Sequence, residues 1–430
     1  MPLHLLFLSF LFFQAYSEVS NDLQLIYVAA LWRHGDRAPT QAIPGDVLTE
    51  ANWTYGGGGY GELSPKGMQQ LFDIGSMLRK EYIDNSKPFL SYKYKSREIY
   101  IRSTDTNRTL VSALSLVNGM FSTTLNDYTP GVDYPTDADW PSLYVPIPIH
   151  TISGDTDYVL NPQGYCPRHL ALAQMAIQTN EYLNFRNSYY TSSTIDYLNI
   201  MLNATGEDAI DAHSINAVWD IMNIEKADFP DQFYSWYPWY TPDIEERTML
   251  VTDEAMHYSN GIFADGVVNG CDLKVEIPRI RGGPFLKEVY TKGIAVVDCW
   301  RDTNLRDHSP CNDSFYRNLK FLGYSAHDTT VSSFLTLIGA QPHVVDHPAT
   351  PGMGATVLLE FYIDSNSTDL SFRIRYNNSP TSDPTFTSIT NYVDGCPIDQ
   401  EYCEISKLEA LVYKFDPGDM DELCENLQCT

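Results

Sequence analysis

Residues Leu23–Arg37 read LQLIYVAALWRHGDR. An apolar, β-prone run from Leu23 to Leu31 ends abruptly in Arg33-His34-Gly35-Asp36-Arg37. The run reads as a buried strand, and its charged end falls where the strand must give way to a loop. Two further stretches repeat the pattern. Arg97–Arg102 (REIYIR) is a short strand, and Ser103-Thr104-Asp105 after it cap a helix running to about Phe121. Leu319–Ser325 (LKFLGYS) is an apolar strand followed by His327-Asp328 and a helix over Thr329–Ile338.

Working outward, Ser64 suits the N-cap and Pro65 the first turn of another helix. Its apolar stripe is Met68, Leu71, Phe72, Gly75, Met77 and Leu78. Val357–Ile363 and Leu370–Tyr376 form an expected hairpin. Strands alternating with helices imply an α/β sheet. Between about Tyr144 and Asp272 strand signals fade, and helical periodicity appears over Leu170–Tyr182 and Ile210–Ile224. The expected organisation is an α/β domain built from residues 18–143 and 273–430, interrupted at 144–272 by a mostly helical cap.

In open α/β sheets, ligands bind outside the carboxyl ends of the strands. If the three strands are neighbours in one parallel sheet, their charged ends share a pocket. Arg33, His34, Arg37, Arg102, Asp105, Arg108, His327 and Asp328 are its candidates. Several guanidinium groups together favour an anion, and their planar forks match phosphate oxygens. Helix N-termini after the strands add donors. A histidine among arginines is held neutral and nucleophilic. Asp328 suits a proton donor, with the bound phosphate's charge offsetting the arginines that depress its pKa. Singly, each cluster has a plainer reading: a surface turn, an ion-pair network, a polar strand end with a helix cap. The residues alone do not choose between His34 and His327 as the attacking group.

The chain has 28 Lys and Arg against 55 Asp and Glu, a net charge of −27, with 43% hydrophobic residues. That composition is globular, and the acidic balance excludes a generic nucleic-acid binder. Met1–Ser17 (MPLHLLFLSFLFFQAYS) carries an apolar run too short to span a bilayer comfortably, then a small-x-small pattern, Ala15-Tyr16-Ser17. It reads as a signal peptide, although a basic n-region is missing. The end of the chain, Phe415–Thr430, is polar and acidic, so no membrane anchor is expected there. Eight cysteines without a CxxC pair suit disulfides in an oxidising compartment and argue against a zinc site. N-x-S/T sequons occur at Asn52, Asn107, Asn203, Asn312, Asn366 and Asn377. Asn107, inside an expected packed helix, is the one counted against. The aromatic block Phe229–Tyr240 (FPDQFYSWYPWY) either lines a pocket or forms a packed core.

Leu31–Pro39 (LWRHGDRAP) resembles the signature of the histidine acid phosphatases, a branch of the histidine phosphatase superfamily. Tyr100–Thr109 (YIRSTDTNRT), Arg281–Pro284 (RGGP) and Tyr324–Thr330 (YSAHDTT) resemble later blocks of that family in the right order. The resemblance implies a phosphoglycerate-mutase-like α/β fold, with a mixed, mostly parallel sheet, flanking helices and the helical cap. It implies His34 as the nucleophile of a phosphohistidine intermediate and Asp328 as the proton donor. Arg33, Arg37, Arg102 and His327 would hold the phosphate of a small phosphomonoester, with no metal or other cofactor. It also implies Cys166–Cys424 and Cys396–Cys403 bridges, with Cys271, Cys299, Cys311 and Cys429 left to pair among themselves. A homodimer is implied too, and a secreted protein before a lysosomal one. Other readings are a phytase-like or lysophosphatidate-type phosphatase of the same family, and a secreted binding or host-interaction protein that keeps the fold without the activity.

Overall fold

The structure is a computed structural model that describes residues 23–121, 128–137, 139–141, 144–161, 164–301, 308–347, 349–378 and 385–429. The expected signal peptide lies outside the described residues.

Strand β1 (Leu23–Arg33) leads through a long loop to α1 (Pro65–Tyr82), then β2 (Ile99–Ser103) and α2 (Asn107–Phe121). Six helices follow: α3 (Pro167–Ala176), α4 (Asn180–Asn187), α5 (Tyr189–Met201), α6 (Ile215–Asp228), α7 (Pro230–Trp236) and α8 (Pro242–Ser259). The periodicity over Leu170–Tyr182 is split, because Thr179 caps a new helix at Asn180. A two-stranded pair, β3 (Val267–Val268) and β4 (Cys271–Asp272), opens into the long α9 (Leu273–Arg301). Then come α10 (Ser314–Asn318), β5 (Phe321–Ala326), α11 (Asp328–Leu337) and α12 (Gln341–Val344). The chain closes with β6 (Thr356–Asp364), β7 (Leu370–Asn377), β8 (Thr387–Ser388), β9 (Cys403–Glu404), α13 (Ile405–Lys414) and α14 (Met420–Glu425).

The main sheet runs β2-β5-β1-β6-β7-β8, with β9 also on β7. Strands β2, β5 and β1 are parallel neighbours, and β6 and β7 extend the sheet as an antiparallel hairpin. The result is a mixed sheet with helices on both faces. On one face Val28, Ala30, Trp32, Ile99 and Ile101 pack with Leu71, Ile74, Leu78, Leu116 and Met120 of α1 and α2. On the other, Tyr27, Leu31, Leu322 and Tyr324 pack with Phe285, Val289, Phe334 and Leu408 of α9, α11 and α13. Strand alternation thus sends odd and even positions into separate cores.

Two close approaches set the strand ends. The backbone after β1 lies so near the first turn of α1 that a Cβ on Gly67 would collide with the Asp36 carbonyl. Within α9, a Cβ on Gly282 would meet Leu337 of α11 at 2.5 Å, which explains the small residues of RGGP as packing. The bridges are Cys166–Cys424, Cys271–Cys429, Cys299–Cys311 and Cys396–Cys403. Among the described residues no helix is long and apolar enough to cross a membrane.

Candidate active site

The three parallel strands end at one edge and are stitched there. The His34 N–H donates to Ala326 O at 3.0 Å, and the Thr104 N–H donates to Ser325 O at 3.1 Å. The assumption of neighbouring strands therefore holds. Asp36, inside the first cluster, serves the scaffold: it accepts from Ser64 Oγ at 2.6 Å and Lys66 Nζ at 3.1 Å. Ser64 in turn caps α1 by accepting from the Gly67 N–H.

His34 is buried, and its Nδ1 lies 2.9 Å from the Gly35 carbonyl. A carbonyl only accepts, so the proton of the neutral ring sits on Nδ1 and the lone pair on Nε2. His327 is placed differently. Its Nε2 is 3.1 Å from Thr104 Oγ1 and its Nδ1 is 3.4 Å from Arg108 Nη2. A guanidinium only donates, so Nδ1 accepts and Nε2–H points at Thr104. Both nitrogens of His327 have partners, whereas no described hydrogen bond engages Nε2 of His34. The two rings stand edge to face, 5.6 Å between centroids.

The electrostatics agree with the geometry. Burial, then Arg33, Arg37, Arg108 and His327, hold the His34 pKa well below that of a free imidazole. Burial and Arg108 bring His327 down to about 4. Arg33 donates to Pro351 O at 2.6 Å and pairs with Asp328 at 2.7 Å. Burial works to raise the Asp328 carboxyl, but Arg33, Arg37, His327 and the Thr329 N–H together hold it below the ordinary carboxylate range. The Nε atoms of Arg33, Arg37 and Arg108 are all buried without a partner. Three neighbouring cations that each keep a donor to spare suit an anion.

Of the expected site residues, Arg33, His34, Arg37, His327 and Asp328 come together. Arg102 does not join them. In register with Tyr324 and hence with Leu31, it lies on the same sheet face as Arg33 but two residues short of it, and there it pairs with Asp157 and, at 3.4 Å, Glu288. Tyr324 donates to the same Glu288 carboxylate at 2.9 Å. Arg108, in the first turn of α2, reaches the cluster in its place. Sequence reasoning named Arg108 in the pocket but did not keep it. A partial signal is the helix N-terminus after a strand, which points back at the strand ends. Asp220 of α6, which grips Arg37 in a two-pronged pair at 3.1 and 3.2 Å, carried no sequence signal. The aromatic block contributes core, with Phe233, Tyr237 and Tyr240 buried against Ile215 and Val218. Asn107 is exposed at the start of α2 and donates to Glu62 Oε1 at 2.7 Å, so the packing argument against its glycosylation does not apply.

A neutral imidazole ringed by guanidinium groups at the end of a parallel sheet is a phosphatase arrangement. A family model described as histidine phosphatase superfamily (branch 2) matches residues 24–377, and the chain belongs to that family. A Caenorhabditis elegans protein provisionally named an acid phosphatase is 30% identical over 412 residues, covering 95% of this chain and 90% of its own. Human lysosomal acid phosphatase is 26% identical over 403 residues, covering 93% of this chain and 80% of its own. Among solved structures, a Citrobacter braakii phytase superposes with a TM-score of 0.60 at 13% identity, covering 91% of this chain and 98% of that one. A Klebsiella phytase gives 0.58 at 17% identity, covering 92% and 94%. These structural likenesses show the fold. By family and relatives the chain is an acid phosphatase.

Proposed function

We propose that this chain hydrolyses small phosphomonoesters through a phosphohistidine at His34. The observation that carries the reading is the 2.9 Å contact of His34 Nδ1 with Gly35 O, which leaves Nε2 free among Arg33, Arg37 and Arg108. The Nε2 lone pair attacks phosphorus, and the bond from phosphorus to the ester oxygen breaks. Asp328 gives its proton to the departing oxygen. Water then attacks phosphorus while Asp328 takes its proton, the phosphorus–nitrogen bond breaks, and phosphate leaves with the ring restored. Arg33, Arg37 and Arg108 hold the phosphoryl oxygens, Arg108 taking the place expected of Arg102; His327 joins them when Arg108 turns to the anion and the ring takes up its Nδ1–H tautomer, with Nε2 accepting from the Thr104 hydroxyl.

Residues 144–272 act as the cap in this reading, since α6 brings Asp220 onto Arg37. The four disulfides and the lysosomal relatives favour an extracellular or lumenal compartment. The finer proposal is a secreted homodimer freed of residues 1–17.

The test is hydrolysis of an aryl phosphate at about pH 4 to 8, without added metal, by the wild type and His34→Ala. Activity on the acid side that vanishes in the variant supports the proposal. Activity surviving in folded His34→Ala overturns it. A folded wild type inactive at every pH returns weight to a binding role on the same fold.

A further inference from the structure

A helix from the middle of the chain is registered against the loop that follows β1. In α6, Asp220, Ile224 and Asp228 recur at every fourth position and so share one face. All three meet that loop. The Asp220 carboxylate accepts from Nη1 and Nη2 of Arg37. Ile224 packs with Ala38, Leu48 and Trp53. Asp228 accepts from the Tyr55 hydroxyl at 3.1 Å. Elsewhere on the same helix, Val218, Ile221 and Met222 are buried in the core of the helical block. The helix is thus anchored on both sides, and the position of Asp220 follows from its anchoring.

The donors of Arg37 can be counted. A guanidinium has a fixed planar set of N–H groups. Asp220 takes one from each Nη, and the carbonyl of Ala38 takes the second from Nη1 at 3.1 Å. What remains is one N–H on Nη2 and the buried, unpartnered Nε–H. These two lie along one edge of the plane and form a fork that fits two phosphate oxygens.

We propose that Asp220 is a positioning residue for phosphate binding: by gripping Arg37 end-on, it presents the free Nε–Nη2 edge to the phosphoryl group. The proposal rests on the reading of Arg37 as a phosphate ligand. A carboxylate that merely stood in the anion's place and competed with it would act in the opposite direction.

The experiment compares the wild type, Asp220→Ala, Asp220→Asn, Arg37→Ala and the Asp220→Ala/Arg37→Ala double variant. It measures inhibition by inorganic phosphate together with kcat and KM for an aryl phosphate. Asp220→Ala should raise both the phosphate inhibition constant and KM about tenfold, with a smaller fall in kcat. Asp220→Asn, which keeps one acceptor oxygen and the side-chain shape, should recover part of that loss and covers the case in which the alanine variant fails to fold. In the Arg37→Ala background, Asp220→Ala should add nothing, because its effect passes through Arg37. Phosphate binding that is unchanged or tighter in the Asp220 variants, or additive losses in the double variant, would overturn the proposal. If Arg37→Ala leaves phosphate inhibition intact, the underlying reading of the phosphate site fails, and this proposal with it.

Discussion

Arg33 Nη2 and Asp328 Oδ2 are 2.7 Å apart, so the residue before the proposed nucleophile is ion-paired with the proposed proton donor. This pairing helps keep Asp328 ionised and unfit to give a proton. A bound phosphoryl group draws on the same guanidinium and adds its own negative charge, and both effects raise the carboxyl. Replacing Asp328 with Asn should therefore matter most when the leaving group is poor. Loss of kcat should be on the order of a hundredfold or more for an alkyl phosphate and much less for a nitrophenyl phosphate. Equal losses on the two substrates would contradict the role.

The site histidines set the pH dependence. His327 falls from 6.5 to about 4, and His34 shifts in the same direction. Between those values the unfolded chain takes up protons that the native rings refuse. The stability they contribute is present above the unfolded imidazole pKa and lost as pH falls through the folded one. For activity, the sign means that the nucleophile stays neutral in mild acid. The acid limb of kcat/KM should lie well below the ordinary imidazole value of about 6.5. A limb near 6.5 in a pH–rate profile would contradict the placement of His34.

Arg108 and Arg102 should separate cleanly. Arg108→Ala removes a cation next to His327 and should weaken inhibition by inorganic phosphate about tenfold or more. Arg102→Ala instead strips the partner from buried Asp157 and should act mainly on stability, read from the urea midpoint. A larger effect of Arg102 than of Arg108 on phosphate inhibition would reverse this assignment.

A buried network on the far side of the sheet should carry stability alone. Glu360, fully buried in β6, accepts from Arg373 Nε at 2.8 Å, Arg375 Nη2 at 2.7 Å and Tyr82 Oη at 2.8 Å. Glu360→Ala would strip the shared acceptor from Arg373 Nε and the Tyr82 hydroxyl and leave Arg375 only its pairing with Glu81 and Tyr82, at a cost of about 3–5 kcal/mol. Urea unfolding checks this, and a loss under about 1 kcal/mol would show that water replaces the carboxylate without penalty.

Much of this was legible in the chain because the signals were local. The three strands, the hairpin and the Ser64 cap each depend on a few neighbouring residues, and the structure has them within a residue or two. The bridges Cys166–Cys424 and Cys396–Cys403 were expected from family resemblance, not from spacing. What stayed hidden depended on three-dimensional facts. Choosing Arg108 over Arg102 requires the register of β2 on β5 and β1, which sets Arg102 level with Leu31 and below Arg33. Choosing His34 over His327 requires the Gly35 carbonyl, the Thr104 hydroxyl and the Arg108 guanidinium in place. Asp220 lies 183 positions from Arg37, and nothing in either segment announces the other.

The central claim is a covalent bond to one nitrogen of one residue. Rapid acid-free quenching during turnover of an aryl phosphate, followed by mass spectrometry of the digested protein, locates it directly. The account predicts a transient, acid-labile phosphate on the peptide carrying His34, absent from His34→Ala and longer-lived when the water step is slowed in Asp328→Asn. Phosphate found on His327, or full turnover with no phosphorylated histidine at any time, would contradict it.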